Sequence, residues 1–284
     1  MKYFKIFISE IKIRPLFGGL LSNIPFLYSI WDNSRPTGRA FSGKYVKSIW
    51  KYHFDNYKKF KKKYEGVPLT VAEFGTGASL GTLISAIKDG VKKVIGLDLI
   101  PYANNYKLNK KIIDELIPYE EEPILNKSLC NEVENLSNQS LNRRIKYLAP
   151  YDEKKLPFTG SIDFIFSHSV LEHVDDIKSA YGGMFELLKK GGIMSHKIDH
   201  SSHAITRSWN GHYALNKFFW KIIRGNKPYL LNRLTPSDHK RIILQSGFRI
   251  IHEEYVRSNL SEKNCLIFND EDHLIKTSLF ILQK

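Results

Sequence analysis

From Leu69 onward the chain alternates short apolar runs with stretches whose apolar residues recur at helical spacing. The first run, Leu69 to Phe74, is rich in β-branched residues and leads into Gly75, Gly77 and Gly81. Leu83, Ile84 and Ile87 then share one helical face, and VKKVIGLDL returns as a second strand that ends at Asp98 and Leu99. Ile145 to Leu148 and Ile162 to Phe166 read as further strands. The second of these runs into a helix expected to end at Lys189-Lys190-Gly191-Gly192, a cationic last turn with a glycine stop. Ile193 to Ile198 is the fifth strand. Thr235-Pro236-Ser237-Asp238 has the make-up of a helix start, with a cap, a proline in the first turn and an acid at the third position. That helix runs to Gly247, and Phe248 to Val256 and Leu274 to Leu282 close the chain as two strands antiparallel to each other. Strands and helices alternating at these lengths predict an α/β fold with a mostly parallel sheet covered on both faces.

Ahead of this unit, Tyr45, Ile49, Trp50, Phe54, Tyr57 and Phe60 fall near helical spacing, which predicts a helix from about Ser42 to Tyr64. It follows a turn-like linker, Arg35-Pro36-Thr37-Gly38, and ends in Lys58, Lys59, Lys61, Lys62 and Lys63. Cations there complement the helix dipole and need no phosphate to explain them. Residues 1–65 thus read as an N-terminal helical cap over the mouth of a main domain, residues 66–284. Residues 15–31 carry no charge but are broken by two prolines and two glycines. They are too short and too interrupted for a membrane span, and suit a bilayer surface, a cover over a site, or packing on the main domain. Glu10, Lys12 and Arg14 break any early apolar core, so no secretory signal is expected.

Composition narrows the partners. With 284 residues and 42% hydrophobic content the chain can bury a full core. Its net charge of +14, from 43 basic and 29 acidic residues, favours anionic partners such as nucleic acid, phospholipid or a phosphate-bearing substrate, unless it reflects a general lysine-rich bias. Cys130 and Cys265 have neither metal nor redox spacing, and a reducing cytoplasm is the expected compartment. Contact with the inner membrane face through residues 15–31 is a further expectation.

The chemistry gathers at the first glycine bend. Strand, glycine turn and helix is the setting in which a Gly-rich fingerprint binds a ligand, because glycines let backbone N–H groups approach it closely. An acid at the tip of the next strand, here Asp98, can accept hydrogen bonds from a ribose diol. Glu73, leading the bend, would repel a pyrophosphate but suits a ligand that carries an ammonium and a sulfonium.

The ordered set EFGTG, GLDL, Asp152 before Leu156-Pro157-Phe158, SIDFIFSHSVLEHV and LKKGG resembles the class I S-adenosylmethionine (SAM) methyltransferases over roughly residues 67–284. The bend departs from the commoner GxGxG, reading GTGASLG. With RPTGRAFSGKYVKSIW upstream and DHSSH and NRLTPSDHKRIILQSGF downstream, that variant is similar to methyltransferases of bacterial surface-polysaccharide gene clusters. The resemblance implies a Rossmann-like sheet, mostly parallel with an antiparallel last strand, and SAM as cofactor. It implies that Glu73, Gly75, Thr76 and Gly77 hold the methionine end, Asp98 the ribose hydroxyls and Asp152 the adenine amino group. Ser167 and His168 would line the methionine side. Leu99 and Ile100 either pack on the adenine or belong to the core.

Methyl transfer to a sugar hydroxyl calls for a general base, because the hydroxyl pKa is high. His196, Asp199, His200 and His203 cluster at and just past the fifth strand, with His212 beyond. Alternation puts His196 and His200 on one side of the strand and Asp199 on the other. The cluster reads as a base oriented by Asp199, centred on His200 or His203, or as packing histidines of the insertion. It matches no firm metal motif, although Asp199 with two histidines could ligate an ion. Glu172 and His173 face the same rim at the expected start of a helix, where a carboxylate is also favourable by itself. Residues 199–234, with Trp209, Tyr213, Phe218, Phe219 and Trp220, read as a substrate insertion suited to stacking on a sugar. The leading expectation is O-methylation of a sugar in a surface glycan or its lipid-linked precursor. RNA methylation, prompted by the basic charge, and a non-catalytic protein that kept the fold are the alternatives. The sequence leaves the oligomeric state open.

Overall fold

The computed structural model describes residues 10–24, 26, 42–61, 66–136, 143–152, 155, 159–227, 229–258 and 264–284. The Arg35–Gly38 linker, Lys62, Lys63 and Leu156 to Phe158 lie outside these. Seven strands form one sheet: β1 (Thr70–Phe74), β2 (Lys93–Leu97), β3 (Ile145–Leu148), β4 (Ile162–His168), β5 (Leu188–Asp199), β6 (Arg249–Arg257) and β7 (Ile275–Gln283). Their order is β3-β2-β1-β4-β5-β7-β6. Pairings from β3 through β5 are parallel, whereas β7 runs antiparallel to both β5 and β6. This is the expected α/β sheet with its antiparallel last strand. After β1 the chain winds toward β2 and β3, and after β4 it winds the other way. The strand order therefore reverses between β1 and β4, the crevice where open α/β sheets place ligands.

Each face of the sheet has its own core. One carries Val71, Val94, Phe164, Phe166 and Ile193 under α2 (Gly43–Phe60), α3 (Gly81–Lys88), α4 (Tyr106–Leu116) and α5 (Pro123–Glu134). The helix α2 is part of this core: Val46, Trp50 and Tyr57 are buried in it, and the Trp50 indole donates to Asp89 Oδ2 at 2.8 Å. Its Ser42 cap accepts from the Tyr45 N–H, and Lys61 donates to the Gly191 carbonyl. The other face carries Ala72, Ile165, Met194 and Phe280 under α6 (Ile177–Leu187) and α8 (Pro236–Gln245). The start of α8 is a full capping box, with Thr235 and Asp238 each bonding the other's backbone N–H.

A third, smaller core joins segments far apart in sequence. Ile205, Leu215, Ile223 and Leu231 from the insertion pack with Ile11 and Leu16. Helix α1 (Ile13–Leu21) lies so close to α7 (Lys217–Arg224) that a Cβ on Gly19 would meet the Ile222 carbonyl. Glu10, buried, accepts from the Ser208 N–H at 2.8 Å and the Ser208 hydroxyl at 2.9 Å. Ile13, Phe17 and Leu20 remain exposed on the outer side of α1, and Phe218 on α7. Among the described residues no helix is long and apolar enough to cross a membrane.

Two local expectations are corrected. Helix α6 stops at Leu187, and Leu188 to Gly192 are already in β5, because Leu188 pairs with Ile162 and Lys189 binds Asp163 at 2.7 Å. Gly191, at φ +75, donates to the Lys284 carbonyl, so it shapes an extended segment and does not cap a helix. Leu171 to His173 form a 3₁₀ turn, and α6 begins only at Ile177 behind its Asp176 cap.

Because Trp50 is almost fully buried between α2 and the sheet, Trp50→Ala is expected to lower unfolding free energy by about 3–5 kcal/mol in chemical denaturation. Lys47→Ala, on the exposed side of the same helix, should stay within about 0.5 kcal/mol of the parent.

Candidate functional site

The carboxyl ends of β1, β2, β4 and β5 converge on the crevice between β1 and β4. Glu73 is the penultimate residue of β1 and is 5% exposed. The Thr82 hydroxyl from α3 bonds its carboxylate, yet Glu73 Oε2 is buried with no hydrogen-bond partner. Burial pushes its pKa up to about 8, with the nearby Asp98 charge adding to the shift. The glycine bend follows at once. Gly75 has φ +81 and donates to the Leu97 carbonyl at 2.7 Å, tying the bend to β2. A Cβ on Gly75 would come within 2.4 Å of Val170 Cγ1, so the chain leaving β4 rests directly on the bend. A Cβ on Gly77, at φ +62, would meet nothing within 4 Å: this glycine borders open space.

Asp98 turns toward the same bend. Its Oδ2 accepts from the Gly77 N–H at 3.0 Å and the Thr76 hydroxyl at 3.2 Å, while Oδ1 accepts from Ile100 N–H at 3.4 Å. Burial raises its pKa against these stabilising bonds. Glu73, Gly75, Thr76, Gly77 and Asp98 therefore form one group. Beside it, Leu99 is exposed although apolar, and Asp152 is exposed, 3.8 Å from Lys155. The Asp152 loop is anchored to the group through its neighbour, since Tyr151 N–H donates to the Asp98 carbonyl at 2.7 Å.

Ser167 and His168 diverge by strand alternation. Ser167 is fully buried on the α6 face and bonds His196 Nδ1 at 2.8 Å. His168 lies on the α2 face, where its Nδ1 is 3.1 Å from His53 Nε2, and His53 Nδ1 in turn is 2.8 Å from the Ser195 hydroxyl. Ser167 and His168 are thus placed on opposite faces of the sheet.

The histidines of the fifth strand separate in the same way. His196 is fully buried, edge-on to Tyr181, and burial lowers its pKa to about 3. His200 has both nitrogens engaged, Nδ1 with the Leu234 carbonyl and Nε2 with the Ser278 hydroxyl at 2.9 Å. Neither has a free nitrogen facing solvent, unlike His203. Asp199, on the opposite side, pairs instead with His203: Asp199 Oδ2 is 3.2 Å from His203 Nε2. Burial raises the Asp199 pKa, but the bonds from His203 and Ser201 outweigh it and hold the carboxyl well below the usual range. The His203 side chain is partly open to solvent.

Glu172 and His173 complete this rim. Both Glu172 carboxylate oxygens are buried without a hydrogen-bond partner, as is His173 Nδ1. Burial pushes the Glu172 pKa well above the carboxylate range against the backbone N–H groups of Glu172 and Asp199, with the Asp199 charge reinforcing the rise. The His173 ring centroid lies 4.9 Å from that of His203. Asn232, from the insertion, fixes the turn by donating to the Leu171 and Val174 carbonyls, and its own N–H binds the Glu172 carbonyl. Ser169, His203, Ala204 and Arg233 are the non-glycine residues with positive φ among those described, and all border this rim. Such strain gathers where surroundings hold an unusual geometry for a function. Sequence reasoning weighted Glu172 lightly and did not find Asn232; an adjacent acid and imidazole past a strand end was the available signal. Of the insertion aromatics, Phe219 and Trp220 are spent in the third core, Tyr213 packs on His212 and His273, and half-buried Trp209 lies under Lys276 Nζ, which leaves Phe218 exposed.

A family profile described as a methyltransferase domain matches residues 125–195, from α5 into β5 and including the Leu171–His173 turn. No curated protein sequence matches the chain. Among solved structures, a proposed sarcosine dimethylglycine methyltransferase from Galdieria sulphuraria is similar at 13% identity and a TM-score of 0.50, over 84% of this chain and 85% of that one. An S-adenosylmethionine-dependent methyltransferase from Mesorhizobium loti gives 15%, 0.48, 84% and 100%, respectively. Phosphoethanolamine N-methyltransferase 2 of Haemonchus contortus, solved with S-adenosyl-L-methionine, gives 15%, 0.47, 83% and 52%. The fold is the Rossmann-like sheet of these methyltransferases.

Glu73 keeps its proton up to about pH 8 in the fold, against about 4.5 for an exposed glutamate. Between these values the native state binds more protons than the unfolded chain, so this group's contribution falls as pH rises. Buried histidines with lowered pKa values act in the opposite sense up to about pH 6.5, so the Glu73 contribution is read by difference: the unfolding free energy of the parent minus that of Glu73→Gln should fall from about pH 4.5 to 8 in denaturation measured across the window.

Proposed function

We propose that the protein is a SAM-dependent O-methyltransferase whose acceptor is a sugar hydroxyl of a surface glycan or its lipid-linked precursor. The observation that carries the reading is the buried, unpartnered Glu73 oxygen beside a glycine bend that opens at Gly77. A carboxylate left without a partner in a dry site is costly unless a ligand completes it. A cation with hydrogen-bond donors suits it, and an anionic phosphate does not. SAM, when bound, supplies an electrophilic methyl group on a sulfonium. Glu73 and the Gly75–Gly77 backbone would hold its methionine portion, Asp98 its ribose hydroxyls, and exposed Leu99 a face of its adenine.

The rim past β4 and β5 supplies the other half. Asp199 accepts from His203 Nε2–H and so fixes the tautomer that leaves the Nδ1 lone pair free. That nitrogen would receive the acceptor proton, and aligning the acceptor with the methyl group would do most of the remaining work. The exposed apolar side of α1, with Ile13, Phe17 and Leu20, suits a lipid-linked acceptor held at a membrane surface.

Calorimetry should find micromolar SAM binding. At pH 7 binding should release a proton as Glu73 ionises, which is read from the dependence of heat on buffer ionisation enthalpy. No binding would favour a non-catalytic protein, and methyl incorporation into RNA would favour the nucleic-acid reading. His203→Ala should lower turnover about a hundredfold or more while SAM affinity stays unchanged. His200→Ala should instead lower thermal stability, since it takes the partner from the Ser278 hydroxyl and leaves the Leu234 carbonyl only the Tyr213 hydroxyl.

A further inference from the structure

We propose that Glu172, His173 and His203 bind a divalent cation of the first transition row at the mouth of the crevice. One donor atom from each residue can be chosen so that all lie within 4.8 Å of one another. The independent observation is what these donors lack. Glu172, a residue 3% exposed, has no side-chain partner for either oxygen and only the backbone N–H groups of Glu172 and Asp199 nearby, neither in full hydrogen-bond geometry, and Nδ1 of His173 is buried without a partner. Buried carboxylates are ordinarily paired, hydrogen-bonded or metal-bound, and no cationic side chain pairs with Glu172 among the described residues. A positive ion would give the Glu172 carboxyl the partner it lacks, with the two imidazoles of the cluster as its other ligands.

The surroundings have the form of a ligand scaffold. Asp199 Oδ2 takes the Nε2–H of His203, the carboxylate–histidine arrangement that orients an imidazole and directs its other nitrogen to an ion. Asn232 clamps the Leu171–His173 turn through three hydrogen bonds, which fixes two of the ligands. The third sits on backbone held at φ +46 in His203 and +62 in Ala204. Glu172 and His173 come from below, whereas His203 reaches solvent, so an ion has an entry path and positions left for an acceptor oxygen. Two imidazoles and one carboxylate favour Zn²⁺, Co²⁺ or Mn²⁺; Ca²⁺ and Mg²⁺ prefer sets made of oxygen.

What the ion does rests on the methyl-transfer reading; whether it binds does not. A divalent cation lowers the pKa of a hydroxyl beside it by several units. With the ion bound, His203 Nδ1 is a ligand, and the acceptor proton leaves because the ion acidifies it. The metal-free protein has only the Asp199–His203 pair for that task.

The test uses the full chain, stripped with chelator and titrated with Co²⁺ by absorption, then with Zn²⁺ and Mn²⁺ by calorimetry. One equivalent of at least one ion should bind at micromolar or tighter affinity, and Co²⁺ should show the ligand-field bands of a nitrogen- and oxygen-bound site. Glu172→Gln, which keeps side-chain shape, and His203→Ala, at the surface, should each weaken binding by about a hundredfold, with circular dichroism confirming the fold. Absence of stoichiometric binding by the parent, or equal affinity in both variants, overturns the proposal. SAM affinity of the stripped protein is measured in parallel. Metal binding without SAM binding upholds this site and removes the methyl-transfer reading; SAM binding without metal binding does the reverse.

Discussion

A carboxylate whose second oxygen has no partner is held dry at the end of β1, and the sheet around it is arranged so that this remains so. Glu73 cannot turn to water, because α2 and α3 cover its face of the sheet, and its one side-chain bond comes from Thr82. Nor can the bend after it relax. Gly75 is tied to β2 through the Leu97 carbonyl and pressed from the other side by Val170. The strand reversal between β1 and β4 is what brings Val170 there, so topology and local strain act on the same few atoms.

Much of this was legible because it is local. The β-branched run, the glycines and the acid at the next strand end lie within about thirty residues, the span of one βαβ unit. The Thr235 box could be read for the same reason, since both of its partners sit within one helical turn. The mostly parallel sheet followed from the alternation of strands and helices, and the antiparallel end from two strands at the close of the chain, whereas the strand order is fixed by pairings between distant segments. The histidines were a different problem. Alternation correctly separates His196 and His200 from Asp199, but only packing tells which side faces solvent. Tyr181 from α6 and His239 from α8 close over the His196 side, which leaves the useful imidazole at His203, beyond the strand. LKKGG misled for a related reason. A glycine with positive φ serves a helix stop or an irregular strand equally well, and the pairing that decides between them comes from Ile162 and Lys284, far away in sequence.

The insertion and the N-terminal segment explain each other. Neither alone has enough apolar surface for a core of its own, and together they build one from Ile11, Leu16, Ile205, Ile223 and Leu231. The Glu10 carboxylate, bonded to the Ser208 N–H and hydroxyl, fixes their register. The same insertion delivers Asn232 to the turn that carries Glu172. A change in the N-terminal segment can therefore reach the rim through one packed cluster and one amide, with no contact of its own to the crevice.

The charge distribution bears on what this crevice receives. The chain is strongly basic overall, at +14, and a phosphate-bearing ligand in the crevice would be the simple inference from that number. Yet the strand ends around the reversal present Glu73, Asp98, Glu172 and Asp199, and two of these carboxylates keep oxygens that no protein donor satisfies. A protein with 43 basic residues had cations available to pair with them. Desolvating unpaired carboxylates weakens a fold, so their retention side by side argues for a role that pairing would abolish. One stands at the end of β1 and the other past the end of β4, on either side of the strand reversal, and a positively charged ligand would complete either of them.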